Sequence, residues 1–180
     1  MKTVIVYYSY TGNNALLMRE LQRRLDCPAI PIEELRKRNT FTMLMEFVFR
    51  RPAKIRKPDV VLSEFDVVIF CAPVWAGLIA SPMATYLQDA SSELNHYAFA
   101  TLCGGRPGQK EILALSLEKL TSKKPIALEE FWVNDLLPAE QKNKVKYTTP
   151  YRVSPQDWKT FDARLNAFTE AILDHQPVPL

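Results

Sequence analysis

The sequence predicts an α/β protein: a doubly wound, five-stranded parallel sheet with helices on both faces. Three observations carry that expectation. Short, near-continuous apolar runs rich in β-branched and aromatic residues recur along the chain, as strands buried on both faces require. Stretches with apolar residues at helical spacing separate them, and such alternation implies a mostly parallel sheet. Right-handed crossovers then leave only a few arrangements. The 180 residues suit one domain with a full core, so the whole of 1–180 is expected to be a single domain carrying a basic insert at about 36–59.

The first strand is TVIVYY, residues 3–8. The start MKTVIVYY is too short for a signal peptide and lacks a small-residue cleavage site, so it reads as this strand. Residues 14–25 form the first helix, with Leu16, Leu17, Leu21 and Leu25 on one face. A second short strand is expected near Ala29–Ile32, between two prolines. In the insert, FTMLMEFVFRR reads as a short amphipathic helix, followed by a basic connection that ends at Pro58 and Asp59. FDVVIFCAP is the third strand, and SPMATYLQDA a helix with Ser81 as N-cap and Pro82 at its first position. HYAFATLCGG is the fourth strand, residues 108–120 a helix, and PIALEEFWV the fifth strand. After an irregular polar stretch, Ser154 is expected to cap a last helix running to about Leu173, with Pro155 just inside its start.

Composition narrows the function classes. No apolar run approaches the roughly 20 residues that cross a bilayer. Cys27, Cys71 and Cys103 are odd in number and lack metal-type spacing, so reduced thiols in a cytoplasmic protein are expected. His96 and His175, far apart in sequence, suggest no metal site. The net charge of +3 is mild, and much of the basic excess is local, at Arg36, Lys37, Arg38, Arg50, Arg51, Lys54, Arg56 and Lys57. That run is either a solvated helix packed on its own domain or a weak contact for a membrane surface or an acidic partner. Nucleic acid is not expected, because no binding motif or aromatic interleaving accompanies the charges.

In a doubly wound sheet the ligand lies beyond the carboxyl ends of the strands, at a switch point. Function is therefore sought in the loops after strands one, three and four. The first, SYTGNN, opens a helix whose free N–H groups and dipole favour an anion. Ser9, Thr11, Asn13 and Asn14 can add side-chain donors, and Gly12 allows close approach. It lacks the lysine of the nucleotide P-loop and the three glycines of the dinucleotide fingerprint. A plain strand-to-helix turn with a good cap is the alternative. The second loop, APVWAGLIASP, offers Trp75 either as a flat face for an aromatic ligand or as a lid folded over the sheet end. In the third, TLCGGRPG, Gly104 and Gly105 clear space for something flat and Arg106 adds a charge at the rim, unless the loop is simply a loose turn. Together the three suit a ligand with a phosphate tail and a planar head.

YYSYTGNN resembles the phosphate loop of the flavodoxin-like family, written Ser or Thr, any residue, Thr, Gly, Asn, Thr. FDVVIFCAPVWAGLIASPMATYL resembles the strand, Pro-any-Trp loop and Ser-Pro helix of some single-domain members, and TLCGG the family's third flavin-contacting loop. The resemblance spans residues 3 to about 120 and implies strand order 2-1-3-4-5 and bound FMN. On it, Ser9, Tyr10, Thr11, Gly12, Asn13 and Asn14 would hold the phosphate. Pro73, Val74, Trp75, Ala76 and Gly77 would line the isoalloxazine ring. Thr101, Leu102, Cys103, Gly104 and Gly105 would bound its other side, with Arg106 at the rim. The sequence departs from the pattern at Asn14, where Thr is usual, in the length of 36–59, and in being basic where electron-carrier flavodoxins are acidic.

The function this implies is an FMN-dependent oxidoreductase that passes electrons to or from a redox partner protein or a small-molecule acceptor. The alternatives are a self-contained NAD(P)H-dependent FMN or quinone reductase and a flavodoxin-fold binding module without flavin. No nucleophile–base pair or paired carboxylates call for a catalytic explanation, and Cys103 reads as a small buried thiol.

Overall fold

The computed structural model describes residues 1–35, 52–75 and 77–175. Its main elements in chain order are β1 (Thr3–Tyr7), α1 (Asn13–Leu25), β2 (Ala29–Pro31), β3 (Val67–Cys71), α2 (Ser81–Ala90), β4 (His96–Cys103), α3 (Gln109–Thr121), β5 (Ala127–Trp132) and α4 (Trp158–Leu173). The five strands form one sheet in the order β2-β1-β3-β4-β5, with every neighbouring pair parallel. The expected helix within 41–51 lies outside the described residues. The described end of the insert pairs Ile55–Arg56 antiparallel with Glu33–Glu34.

Period-2 alternation sorts the strand side chains into two apolar layers. Val4, Val6, Val68, Phe70, Tyr97 and Phe99 pack with Met83 and Leu87 of α2 and Leu113 and Leu117 of α3. Ile5, Ile69, Ala98, Ala100 and Phe131 pack with Leu17 and Leu21 of α1 and Phe161 and Leu165 of α4. Each fully buried large side chain stabilises the fold by about 1.5–3 kcal/mol. Among the described residues, no helix is long and apolar enough to cross a membrane.

Register determines where the site can form. Tyr7 pairs with Cys71 and Cys71 with Ala100, so β1 and β3 end level. Strand β4 runs on through Thr101, Leu102 and Cys103, supported by β5 as far as Trp132. These three residues make a ledge beyond the ends of β1 and β3.

Two local expectations are corrected. Helix α2 begins at Ser81 itself, with Ala80 in the cap position and Pro82 in its first turn. Helix α4 begins at Trp158: the Ser154 N–H and hydroxyl both bind the Asp157 carboxylate, and the residues between are a tight turn with i→i+3 bonds. His96 and His175, distant in sequence, bring their rings to 4.3 Å at the amino end of β4. Among the described residues no group of three metal-ligating side chains accompanies them.

Candidate functional site

The first loop places Gly12 at the N-cap of α1 with φ +94°, a conformation that side-chain-bearing residues rarely adopt. A Cβ there would meet nothing within 4 Å, so backbone geometry, not crowding, asks for glycine. The Ala15 N–H donates to Ser9 Oγ at 3.0 Å, which closes the loop onto the helix. The first N–H groups of a helix have no partner within it, so those of Asn13 and Asn14 are open to a ligand.

The side chains of Asn13 and Asn14 do not serve as spare phosphate donors. Asn14, 3% exposed, donates to the Leu102 carbonyl and accepts from the Leu102 N–H, each at 2.9 Å. It thus completes the strand pairing that β4 lacks beyond β3. Asn13 donates to the Tyr151 carbonyl at 2.9 Å and accepts from the Val153 N–H at 3.2 Å. What these two residues can offer an anion is their backbone N–H.

The second loop is a small hairpin rather than an irregular loop. Val74–Trp75 pairs antiparallel with Leu78–Ile79, and Gly77 turns the chain at φ +83°. Val74 and Ile79 are buried; Trp75 is half-buried and meets the edge of the exposed Tyr10 ring, centroids 5.9 Å apart and planes at 85°. The Arg106 guanidinium lies close over Gly77, where a Cβ would stand 2.9 Å from Nη2. The rim charge of the third loop therefore rests on the turn of the second.

In the third loop the flat object that Gly105 accommodates belongs to the chain itself. A Cβ on Gly105 would lie 2.1 Å from Cγ of Trp132, the last residue of β5. The Trp132 indole N–H in turn donates to the Glu130 carboxylate at 3.3 Å, which also accepts from Gln109 Nε2 at 2.5 Å. Asn134 fixes the loop from outside: its N–H donates to the Gly104 carbonyl at 3.3 Å and its side-chain amide to the Gly105 carbonyl at 2.9 Å.

Sequence reasoning missed a fourth wall. Between β5 and α4 the chain crosses the site as a strap with short helical turns at Val133–Leu136, Ala139–Gln141 and Val145–Thr148. Two asparagines hold it. Asn134 exchanges hydrogen bonds with Asn143, and Asn13 binds Tyr151 and Val153. The signal was length: residues 133–157 far exceed the roughly 2–6 residues usual between a strand and a helix in such folds.

One pocket results, bounded by Tyr10, Thr11, Asn13 and Asn14 of the first loop, Pro73, Val74 and Trp75 of the second, and Leu102, Cys103 and Gly104 of the third. Val133, Thr148 and Thr149 close it. Ser9, Gly12, Gly77, Gly105 and Arg106 do not line it. Thr101 is fully buried in the sheet with no hydrogen-bond partner for its hydroxyl among the described residues, and Ala76 is outside them. The pocket is about 120 Å³, smaller than the roughly 300 Å³ at which ligand sites begin. A larger groove of about 520 Å³ runs past Met1, Cys27, Phe65 and Leu173 at the opposite end of the sheet, away from the three loops. Burial pushes the Cys103 thiol up to about 12, with the Glu130 carboxylate adding to the shift, so it stays protonated and accepts a hydrogen bond from Gln109 Nε2 at 3.3 Å.

Solved structures share this architecture. A candidate flavoprotein from Bacteroides eggerthii DSM 20697 matches with TM-score 0.65 and 17% identity, over 93% of this chain and 98% of that one. A flavoprotein from Lactobacillus acidophilus NCFM, solved in complex with FMN, matches with TM-score 0.63 and 15% identity, over 72% of this chain and 93% of that one. Oxidised flavodoxin 1 from Bacillus cereus matches with TM-score 0.52 and 14% identity, over 98% of this chain and all (100%) of that one. The chain has the flavodoxin-like fold. No family model and no curated protein matches the sequence. The flavodoxin-like order puts the switch point between β1 and β3, where the first two loops diverge, and flavodoxin is itself a known instance of the switch-point rule.

Proposed function

We propose that the chain is an FMN-binding redox protein that transfers electrons through its flavin. One observation carries the reading: loops from β1, β3 and β4 wall a single pocket beside a helix start with open N–H groups. The residues fit the two ends of FMN differently. At the phosphate end, the N–H groups of residues 11–14, the Thr11 hydroxyl and the dipole of α1 supply neutral donors to an anion. At the ring end, the pocket of about 120 Å³ is too small for the ring in its present form, so Tyr10 and Trp75 swing outward as the ring enters. Tyr10 is 46% exposed and moves at little cost, whereas Trp75 also packs against the buried core and gives up part of that contact.

Bound FMN would supply the electron and hydride chemistry. Leu102, Cys103 and Gly104 form a neutral wall, and the strap with Thr148 and Thr149 limits access of water. The test is titration of the purified protein with FMN, followed by fluorescence and by the absorbance band near about 450 nm that belongs to the cofactor. Saturable quenching at one FMN per chain supports the reading. A colourless protein that leaves FMN fluorescence unchanged overturns it and favours a flavin-free binding module. If NAD(P)H alone bleaches the bound flavin, the protein is a self-contained reductase and not a carrier that depends on a partner.

A further inference from the structure

The cations of the described structure are unevenly matched. Away from the pocket some pair with carboxylates, Arg23 and Arg24 with Glu20, Arg56 with Glu33, Lys57 with Asp89, Lys110 and Arg164 with Glu129, while Lys2, Arg19, Lys54, Lys119, Lys123, Lys124 and Lys159 are in no ion pair among the described residues. What sets the mouth apart is that the charges on its segments have one sign. The middle of the strap, QKNKVKYTTPYRV, residues 141–153, carries Lys142, Lys144, Lys146 and Arg152 and no acid, with Asp135 and Glu140 before it and Asp157 after it. All four are exposed, and among the described residues none is in an ion pair. The other elements at the mouth, residues 9–14, 72–80 and 101–108, also lack acids, and the third loop adds Arg106.

Exposed apolar side chains accompany these charges. Val145 is 75% exposed on the strap, Tyr10 46% on the first loop and Leu78 37% on the hairpin. Tyr10 touches Trp75, Trp75 pairs with Leu78, and Gly104 faces Thr148, so the three apolar residues belong to elements that adjoin around one opening. No charged residue lines the pocket itself. The positive charge therefore acts on what lands around the opening, not on a small anion held within it.

We propose that this face, centred on the strap, docks the acidic surface of a redox partner protein. The proposal rests on the FMN reading for the purpose of docking, though not for the docking itself. Exposed apolar groups among like charges match the make-up of a transient interface, and a one-signed rim steers an oppositely charged partner and sets the salt dependence of encounter.

Steering acts at long range and needs no cognate contacts, so a non-cognate acidic haem protein reports it. FMN-loaded protein is reduced and mixed with ferric cytochrome b5, which is acidic, or ferric cytochrome c, which is basic. Two ferric haems each take one electron from one fully reduced flavin, which returns to the oxidised form and releases two protons. At low salt the b5 reaction should be faster than the cytochrome c reaction, and it should slow about tenfold between 10 and 300 mM salt (roughly the scale of steering effects). The triple variant Lys142→Glu, Lys144→Glu, Lys146→Glu should reverse that preference while binding FMN as before. A faster cytochrome c reaction in the wild type, or a b5 rate that the variant leaves unchanged, overturns the proposal. Capture by phosphatidylserine vesicles with an unchanged b5 rate assigns the face to a membrane surface and also overturns it. NMR shift changes at 142–152 on adding b5 to FMN-free protein read docking separately, so failure of FMN to bind and failure to dock are distinguished.

Discussion

Gly105 lies flat against the indole of Trp132, with no room for a single added carbon between them. Trp132 is anchored through Glu130 to Gln109, so the plate under the third loop is fixed from below, while Asn134 fixes the loop from the side.

Gly105→Ala should therefore be costly. The added Cβ collides with Trp132 at 2.1 Å, and the φ of +82° disfavours any side chain. We expect a loss of about 3 kcal/mol. Gly108→Ala, at φ +74° but with nothing within 4 Å, should lose only about 1–2 kcal/mol. Urea midpoints of the two variants check the difference; equal losses would show that Trp132 moves aside freely.

Asn14→Ala leaves the buried Leu102 N–H and carbonyl without their partner and should cost about 2–4 kcal/mol. Asn14→Thr, which restores the residue usual in the similar phosphate loop, should remain destabilised, because one hydroxyl cannot replace both amide contacts. Full stability of the Thr variant by thermal melting would contradict this.

Gly12→Asp places a carboxylate at the mouth of the helix start and should weaken FMN binding roughly a hundredfold by like-charge repulsion. Gly12→Ala supplies the control, since it carries the same backbone strain without the charge. Equal FMN affinity in the two variants would remove the phosphate from this loop.

Trp75→Ala should weaken FMN three- to tenfold, the rough scale of a lost ring contact, and restore fluorescence to the bound flavin. Quenching that persists at full strength places Trp75 away from the ring.

The thiols predict a pH dependence. Burial pushes Cys103 up to about 12 and Cys27 up to about 11, and raises Cys71 as well. In the unfolded chain a thiol ionises near about 8.5. The folded state then binds more protons than the unfolded state at pH values between these limits, so stability falls as pH rises from about 8.5 toward 11. Denaturation at pH 7.5 and pH 10 should show the decline, and Cys103→Ala should reduce it.

The sheet was legible because buried parallel strands leave continuous apolar runs, and all five were found near their observed bounds. The first loop was legible as a helix start with a glycine. The duties of its asparagines were not, because Leu102, Tyr151 and Val153 are remote in sequence and the same amide serves a phosphate or a backbone equally well. The hairpin at residues 74–79 escaped because strands of two residues show no period. Gly105 was read as clearing space for a flat ligand; the flat group against it is Trp132, which nothing local indicates. The apparent tail of polar residues after β5 concealed the strap, whose composition resembles that of any solvated loop.

Asn13 reaches across 138 positions to the Tyr151 carbonyl. During synthesis the first loop emerges early and waits for nearly the whole chain before its outer neighbour exists. A nascent chain that has released β1, β3 and β4 already displays the three loops but has an open trough in place of a pocket. Domains fold as units as they emerge, so the trough closes only after the strap and α4 have cleared the ribosome. Assembly of the site is thus timed by the carboxyl-terminal part of the chain, and any ligand that needs four walls would join a finished protein.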